Sequence, residues 1–230
     1  MNIFLKVILV SGFFVLLTNV AVDSASAATV VDAQPFTIAE RGPNHRVWEK
    51  VALVTDDAGN TSTVTNSYTE LATGVHRLDA ATGQWVDSVP QFELFEGGVV
   101  ARQTQHKVIL APNPNTPNAV DLLMSDNGRL VSHVVGLIYF DRASGKSVTL
   151  AVIKDAQGIL QPGNQEVIFP DAFDGPFRAS LRYRLSLAGL EQDVILEEQP
   201  AEPETFGLSS KSTARLNAPI ECKFVNFLEE

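Results

Sequence analysis

Ser180-Leu181-Arg182-Tyr183-Arg184-Leu185-Ser186-Leu187 alternates strictly. Leu181, Tyr183, Leu185 and Leu187 fall on one side; Ser180, Arg182, Arg184 and Ser186 fall on the other. A period of two buries one face of a sheet and wets the other. The same chemistry extends in both directions. Val47–Val54, Ser62–Leu71, Val75–Leu78, Trp85-Val86, Phe92–Phe95, Val99–Arg102, His106–Leu110, Ala119–Met124, Ser147–Lys154 and Leu190–Glu198 are short runs rich in Val, Ile, Leu, Thr and aromatic residues. Gly, Asn, Asp and Pro punctuate them, as in antiparallel strands joined by tight turns. Arg129–Asp141 is more continuously apolar and predicts one central strand covered on both faces, with a bulge at Gly136. No window of a dozen residues keeps the i, i+3, i+4, i+7 spacing of an amphipathic helix without a Gly or Pro break. The expected fold class is all-β: an antiparallel β-sandwich built from hairpins, with a short C-terminal tail holding at most one helix.

The turns carry the second signal. Asp79-Ala80-Ala81-Thr82-Gly83-Gln84 and Asp141-Arg142-Ala143-Ser144-Gly145-Lys146 share the form D-x-A-[S/T]-G-[Q/K]. Asp56–Gly59, Ser125–Gly128 and Asp155–Gly158 are shorter relatives. The first side chain can accept a hydrogen bond from the backbone N–H two residues on, and Gly supplies a positive φ. Five such turns predict a meander of hairpins.

Residues 1–28 read as a signal peptide. Lys6 precedes the apolar run Val7–Thr18, and Ala25-Ser26-Ala27, or Ser26-Ala27-Ala28 in the next register, supplies a small-residue cleavage site. The uncharged stretch ends at Val22, short of the roughly 20 residues a bilayer core demands. Export to the cell surface or medium is therefore expected, with no membrane contact after cleavage. An extended leader is expected over 29–45, one sandwich domain over 46–198, and a Pro-bearing acidic linker and tail over 199–230, with a short helix within 207–218. The apolar end at Phe224, Val225, Phe227 and Leu228 is expected to dock back onto a sheet or to mark the head of a longer protein. One cysteine, Cys222, cannot close an internal loop, and its nearest histidine in sequence is His133; it reads as an inert thiol. The net charge of −10, with no basic cluster, argues against nucleic acid as a partner.

Catalytic signals are sparse. His45, His76, His106 and His133 lack zinc-motif spacing. No G-x-S-x-G elbow and no Gly-rich phosphate loop is present. His106 and His133, on strand-like runs, are most simply sheet histidines; as a general base or metal pair, with Asp121 in reach, they would define a carbohydrate-active enzyme. Asp121, Asp141, Asp155, Glu166, Asp171, Asp174, Glu191 and Asp193 could supply the paired carboxylates of a glycosidase, although turns account for several. Asp56–Asn60 and Asp171–Gly175 concentrate oxygen atoms without matching a calcium loop, so no metal and no cofactor are expected. Trp48, Trp85, Tyr68, Tyr139 and Tyr183 are expected as core or cross-strand aromatics, unless one faces solvent and offers a platform for glycan or peptide.

Tyr68-Thr69-Glu70-Leu71-Ala72-Thr73-Gly74-Val75-His76-Arg77-Leu78, running into Gly83-Gln84-Trp85-Val86-Asp87, resembles a hairpin near the start of very large secreted bacterial proteins that carry RHS/YD-type repeats or LamG-like domains downstream. Val99–Leu110, Arg129–Leu137 and Gly189–Val194 look like the same leader module, so the resemblance spans roughly residues 45–200. It carries no catalytic signature and no functional residue. It implies a non-enzymatic structural or binding module, the head of a larger cell-surface or secreted protein, whose partners are other domains, cell-surface proteins or glycans.

Overall fold

The computed structural model describes residues 4–5, 29–209 and 214–225. Of the expected signal peptide only β1 (Phe4–Leu5) is described, paired with residues 194–195. The rest of that segment, and Phe227 and Leu228, lie outside the described residues. No described helix is long and apolar enough to cross a membrane.

The fold is all-β and antiparallel, and it divides into two compact units between Ser88 and Val89. That division cuts through the single domain expected over 46–198. The first unit contains β2 (Thr29–Ala33), β3 (Thr37–Gly42), β4 (His45–Thr55), β5 (Thr61–Leu71), β6 (His76–Leu78) and β7 (Trp85–Asp87). The expected extended leader over 29–45 carries β2 and β3. β2 and β3 lie end to end along one side of β4, from Thr29 opposite Thr55 to Gly42 opposite His45. β5 runs the full length of the other side, from Thr61 opposite Thr55 to Leu71 opposite His45. β6 and β7 form a separate two-stranded ribbon.

The second unit holds β8 (Glu93–Phe95), β9 (Gly98–Ala101), β10 (Lys107–Leu110), β11 (Val120–Leu123), β12 (Arg129–Val134), β13 (Gly136–Asp141), β14 (Ser147–Ile153), β15 (Ile159–Leu160), β16 (Glu166–Phe169), β17 (Phe173–Asp174), β18 (Ala179–Ser186), β19 (Gly189–Leu196), β20 (Ala214–Asn217) and β21 (Ile220–Val225). They form three sheets, in the orders β1-β19-β18-β16-β15, β21-β12-β11-β10-β9-β8 and β17-β14-β13-β20. A single buried cluster draws on all three, from Val108, Leu110 and Val134 through Leu137 and Leu150 to Phe169, Leu181, Tyr183 and Leu185. This is sheet-on-sheet packing with inward side chains interleaved.

The alternation read in 180–187 holds through β18. Leu181, Tyr183 and Leu185 are buried, while Arg182, Arg184 and Ser186 are half-exposed. It fails at its ends. Leu187 lies past the strand and is exposed, whereas Ser180 is buried and donates to Glu197. The expected central strand over 129–141 is two strands. β12 belongs to one sheet and β13 to another, and the chain changes sheets at Val135. Gly136 sits where an added Cβ would collide with the Ala151 carbonyl, so this corner requires glycine. The pairing irregularity falls one step on, between Leu137 and Ile138, with Leu150 as the extra residue opposite.

The tail contributes two strands. β20 pairs with β13, and β21 docks along β12 from Ile220 opposite Val134 to Val225 opposite Arg129. Both satisfy sheet edges that would otherwise be left unpaired. Among the described residues the helical element is one 3₁₀ turn, Pro203–Phe206, ahead of the expected 207–218; residues 210–213 lie outside the described residues, and 214–217 are β20.

The two D-x-A-[S/T]-G-[Q/K] turns fold alike. Asp79 N–H donates to Gln84 O at 2.9 Å and Asp141 N–H to Lys146 O at 2.8 Å. Gly83 and Gly145 take φ 67° and 69°. Asp56–Gly59 also follows the pattern, with Gly59 at φ 83°. In Ser125–Gly128 the left-handed residue is Asn127, at φ 67°. Asp155–Gly158 is no hairpin: it joins strands of different sheets, and Gly158 N–H donates to Pro112 O at 3.0 Å.

Truncating a side chain in the cluster leaves a cavity the sheets cannot close. Leu181→Ala, fully buried in the native protein, is expected to cost about 2–5 kcal/mol in urea unfolding, and Leu187→Ala less than about 0.5 kcal/mol. Equal losses would show that the alternation on β18 does not set the core.

Candidate functional site

His106 and His133 stand at opposite ends of the six-stranded sheet. His106 precedes β10 at the Lys107–Leu123 end, whereas His133 lies beside Ser132, which is level with Val120 and Leu110. That offset is about 16 Å along the strands and about 10 Å across them. His106 Nδ1 accepts the Ser125 N–H at 3.3 Å, so it pins the turn after β11. His133 is half-buried, its Nε2 3.8 Å from Glu221 on β21, and its buried Nδ1 makes no hydrogen bond. Asp121 shares a sheet face with His133, but both its carboxylate oxygens are taken by Arg129, at 2.8 and 2.6 Å. The three residues do not converge on one pocket.

Most of the other candidate carboxylates are engaged as well. On the polar face of β18, Arg182 reaches Asp193 at 2.6 Å, and Arg184 reaches Glu166 at 2.9 Å and Glu191 at 3.4 Å. Each is a cross-strand pair, so the acidic residues neutralise the arginines that the alternation sends outward. Asp171 pairs with Lys154 at 2.8 Å. Asp155 accepts amide N–H bonds from Asn113 and Asn115, which hold its carboxyl below the usual range. It borders an open depression of about 410 Å³ with Pro112, Asn113, Ala156 and Gln157. No histidine lines that depression. Among the described residues, no three His, Cys, Asp or Glu side chains group as metal ligands would. Cys222 is exposed on β21.

Asp141 is the most heavily bonded carboxylate. It is fully buried and accepts from Ser144 Oγ and Ser209 Oγ, both at 2.7 Å, from Ala143 N–H at 3.0 Å, and from Ser209 N–H at 3.3 Å. The Ser144 and Ser209 hydroxyls hold its pKa well below the ordinary carboxyl range. The same turn in the first unit lacks an equivalent of Ser209, and Asp79 bonds only Ala81 and Thr82 within its turn. The carboxylate of Asp141 thus ties the segment after the 3₁₀ turn to the β13–β14 hairpin.

The first unit holds a network that residue spacing did not reveal. His76 is fully buried, and its Nδ1 lies 2.7 Å from the Gly42 carbonyl. A carbonyl only accepts, so Nδ1 carries the proton. Nε2 then accepts from Arg46 Nε at 3.4 Å, with Asp87 at 3.3 Å. Arg46 continues to Glu70 at 3.8 Å, and Trp48 Nε1 donates to Glu70 at 2.8 Å. Five strands, β3 to β7, are joined by this chain of bonds. Beyond it, the β4–β5 ribbon is open. Every β5 side chain except Glu70 is exposed. Tyr68 stacks on Trp48 at 6.3 Å and meets Phe36 edge-on at 5.1 Å, and Lys50 lies over the Phe36 ring. Tyr68 is 49% exposed and Phe36 40%, so part of the aromatic set is a surface feature. The sequence signal for it was the Tyr68 and Trp48 pair on facing strands; the exposure was not legible.

Comparison with protein families, curated proteins and solved structures found no match.

The folded pKa of Asp141 is depressed, so its contribution to stability is complete above the unfolded value near 4 and is lost as pH falls toward the folded value. Urea midpoints measured from pH 6 down to pH 2 should fall below about pH 4, and Asp141→Asn should flatten that fall while lowering the midpoint at pH 6. An unchanged acid slope in the variant would remove Asp141 as the source.

Proposed function

We propose that this protein is an exported, non-enzymatic binding or structural module, the head of a larger cell-surface or secreted assembly, that makes its contacts through the β4–β5 ribbon. The observation that carries this reading is the ribbon itself. It offers an eleven-residue strand with exposed side chains and a surface aromatic set, Phe36, Trp48 and Tyr68, on one unit. Exposed aromatics beside an open strand suit partners that stack or pair, whether a glycan ring or an extended peptide. The signal-like segment 1–28 and the resemblance over residues 45–200 support the export and head-module parts of the proposal.

The competing reading is a carbohydrate-active enzyme working through His106 and His133. A general acid–base pair must share a substrate-sized pocket. Their separation, and the Arg129 clamp on Asp121, favour the binding module.

The test is a panel of glycans and of extended peptides, scored for retention and for turnover by the full chain. Retention that falls at least tenfold in Tyr68→Ser, with no turnover and with His106→Ala and His133→Ala unchanged, is the expected result. Turnover that His106→Ala abolishes would replace the proposal with the enzyme.

A further inference from the structure

β5 is an edge strand of the first unit. β5 pairs with β4 along one side, and among the described residues no strand pairs along the other. Long edges usually carry a device against pairing: a lysine, a proline, a bulge or shortness. β5 reads Thr61-Ser62-Thr63-Val64-Thr65-Asn66-Ser67-Tyr68-Thr69-Glu70-Leu71 and has none of these. Its pairing with β4 is unbroken for all eleven residues. Its one charge, Glu70, is drawn inward to Trp48 and Arg46.

The direction of its backbone groups follows from the ladder. At one end Asp56 N–H donates to Asn60 O; at the other Ala72 N–H donates to Asn44 O. Hydrogen-bonded pairs alternate along an antiparallel ladder. Both ends therefore assign Ser62, Val64, Asn66, Tyr68 and Glu70 to β4. The N–H and C=O groups of Thr61, Thr63, Thr65, Ser67, Thr69 and Leu71 face outward.

Resting on the binding-module reading, we infer that the partner of this edge is a second copy of the same chain, joined β5 to β5 in antiparallel fashion about a two-fold axis at Asn66. The strand is complementary to itself in that register. Asn66 meets Asn66, Thr65 meets Ser67, Val64 meets Tyr68, Thr63 meets Thr69, Ser62 meets Glu70 and Thr61 meets Leu71. The outward-facing residues meet one another, so Thr65–Ser67, Thr63–Thr69 and Thr61–Leu71 are the hydrogen-bonded pairs. The intervening pairs are the close ones, with Cα atoms about 4.5 Å apart. They bring Val64 against Tyr68 twice, a β-branched residue on an aromatic, and face the two Asn66 carboxamides across the axis. No like charges meet. Because each copy uses the same edge, the pairing closes at two and does not propagate. It also places the second copy's Val64 beside the Tyr68 that stacks on Trp48, widening the aromatic surface.

A contact one strand wide and about 35 Å long lies at the low end of interface sizes, under about 1,200 Å². The dimer is therefore a weak, concentration-dependent one.

Sedimentation equilibrium of the full chain from about 5 μM to 1 mM reads the association, with circular dichroism melting as the fold control. Thr65→Pro removes an outward N–H without touching the β4 ladder, and it should raise the dissociation constant at least tenfold. N66K and N66D each place like charges across the axis and should do the same. An equimolar mixture of the two should dimerise at least as well as the native chain. A native chain that stays monomeric to 1 mM overturns the self-pairing. So does a dimer that T65P and N66K leave intact, or an N66K and N66D mixture that stays monomeric with both folds intact. A monomeric native chain that still loses retained ligand in Tyr68→Ser would separate failure of this pairing from failure of the binding reading.

Discussion

The second unit depends on one constraint: the row Leu181, Tyr183 and Leu185 on β18 must be covered on one side while the partly buried Arg182 and Arg184 on the other must find charged partners. The first requirement draws three sheets onto one apolar cluster, with Phe169 meeting Tyr183 edge-on at 6.1 Å. The second draws acids to the neighbouring strands. Glu166 on β16 and Glu191 and Asp193 on β19 stand across from the arginines. Burying Asp193 at 6% exposure is tolerable because Arg182 donates two bonds to it. Core and surface of this sheet are two consequences of one alternation.

That alternation was legible because it is local. A period of two is visible within eight residues and needs no knowledge of what covers the strand. The paired turns were legible for the same reason: Asp79 and Asp141 bond to groups two and three residues on, and Gly83 and Gly145 supply the left-handed step. Distant partners were not legible. The change of sheets at Val135 leaves the sequence continuously apolar, because both β12 and β13 contribute to the same cluster. The strands at 29–42 and 214–225 acquire their pairing from β4, β13 and β12, which are remote in sequence. The break after Ser88 carries no distinctive composition: Pro90 follows it, but prolines occur throughout the chain.

The site residues show the same limit. The four histidines look equivalent in sequence, yet His76 is sealed under Gly42, His106 pins a turn, and His45 meets Glu40 at 3.3 Å. What separates them is the group each meets in the fold: a backbone carbonyl for His76, a backbone N–H for His106 and a carboxylate for His45. Carboxylates were too numerous to discriminate by composition. Most of those named as glycosidase candidates prove to be cross-strand partners, turn acceptors or partners of a distant loop.

The two units also differ in how they are held. The second encloses a large apolar cluster, to which β10, β13, β14, β16 and β18 contribute buried side chains. The β4–β5 ribbon has few buried side chains; Ala52 is an exception at 5% exposure. Its order comes from the Asp56 turn, β-branched residues suited to a pleated surface, and the Trp48–Tyr68–Phe36 contacts. Two-stranded ribbons of this kind are marginal without a third strand or a covering face. β2 and β3 supply that support along β4, and the His76–Arg46–Glu70 network anchors one end. Among the described residues no strand pairs along the remaining side of β5. A strand fully paired on one side, uncharged along its outer edge and poor in core contacts stands to gain from added pairing. The physical argument for function therefore leads to this edge rather than to the histidines.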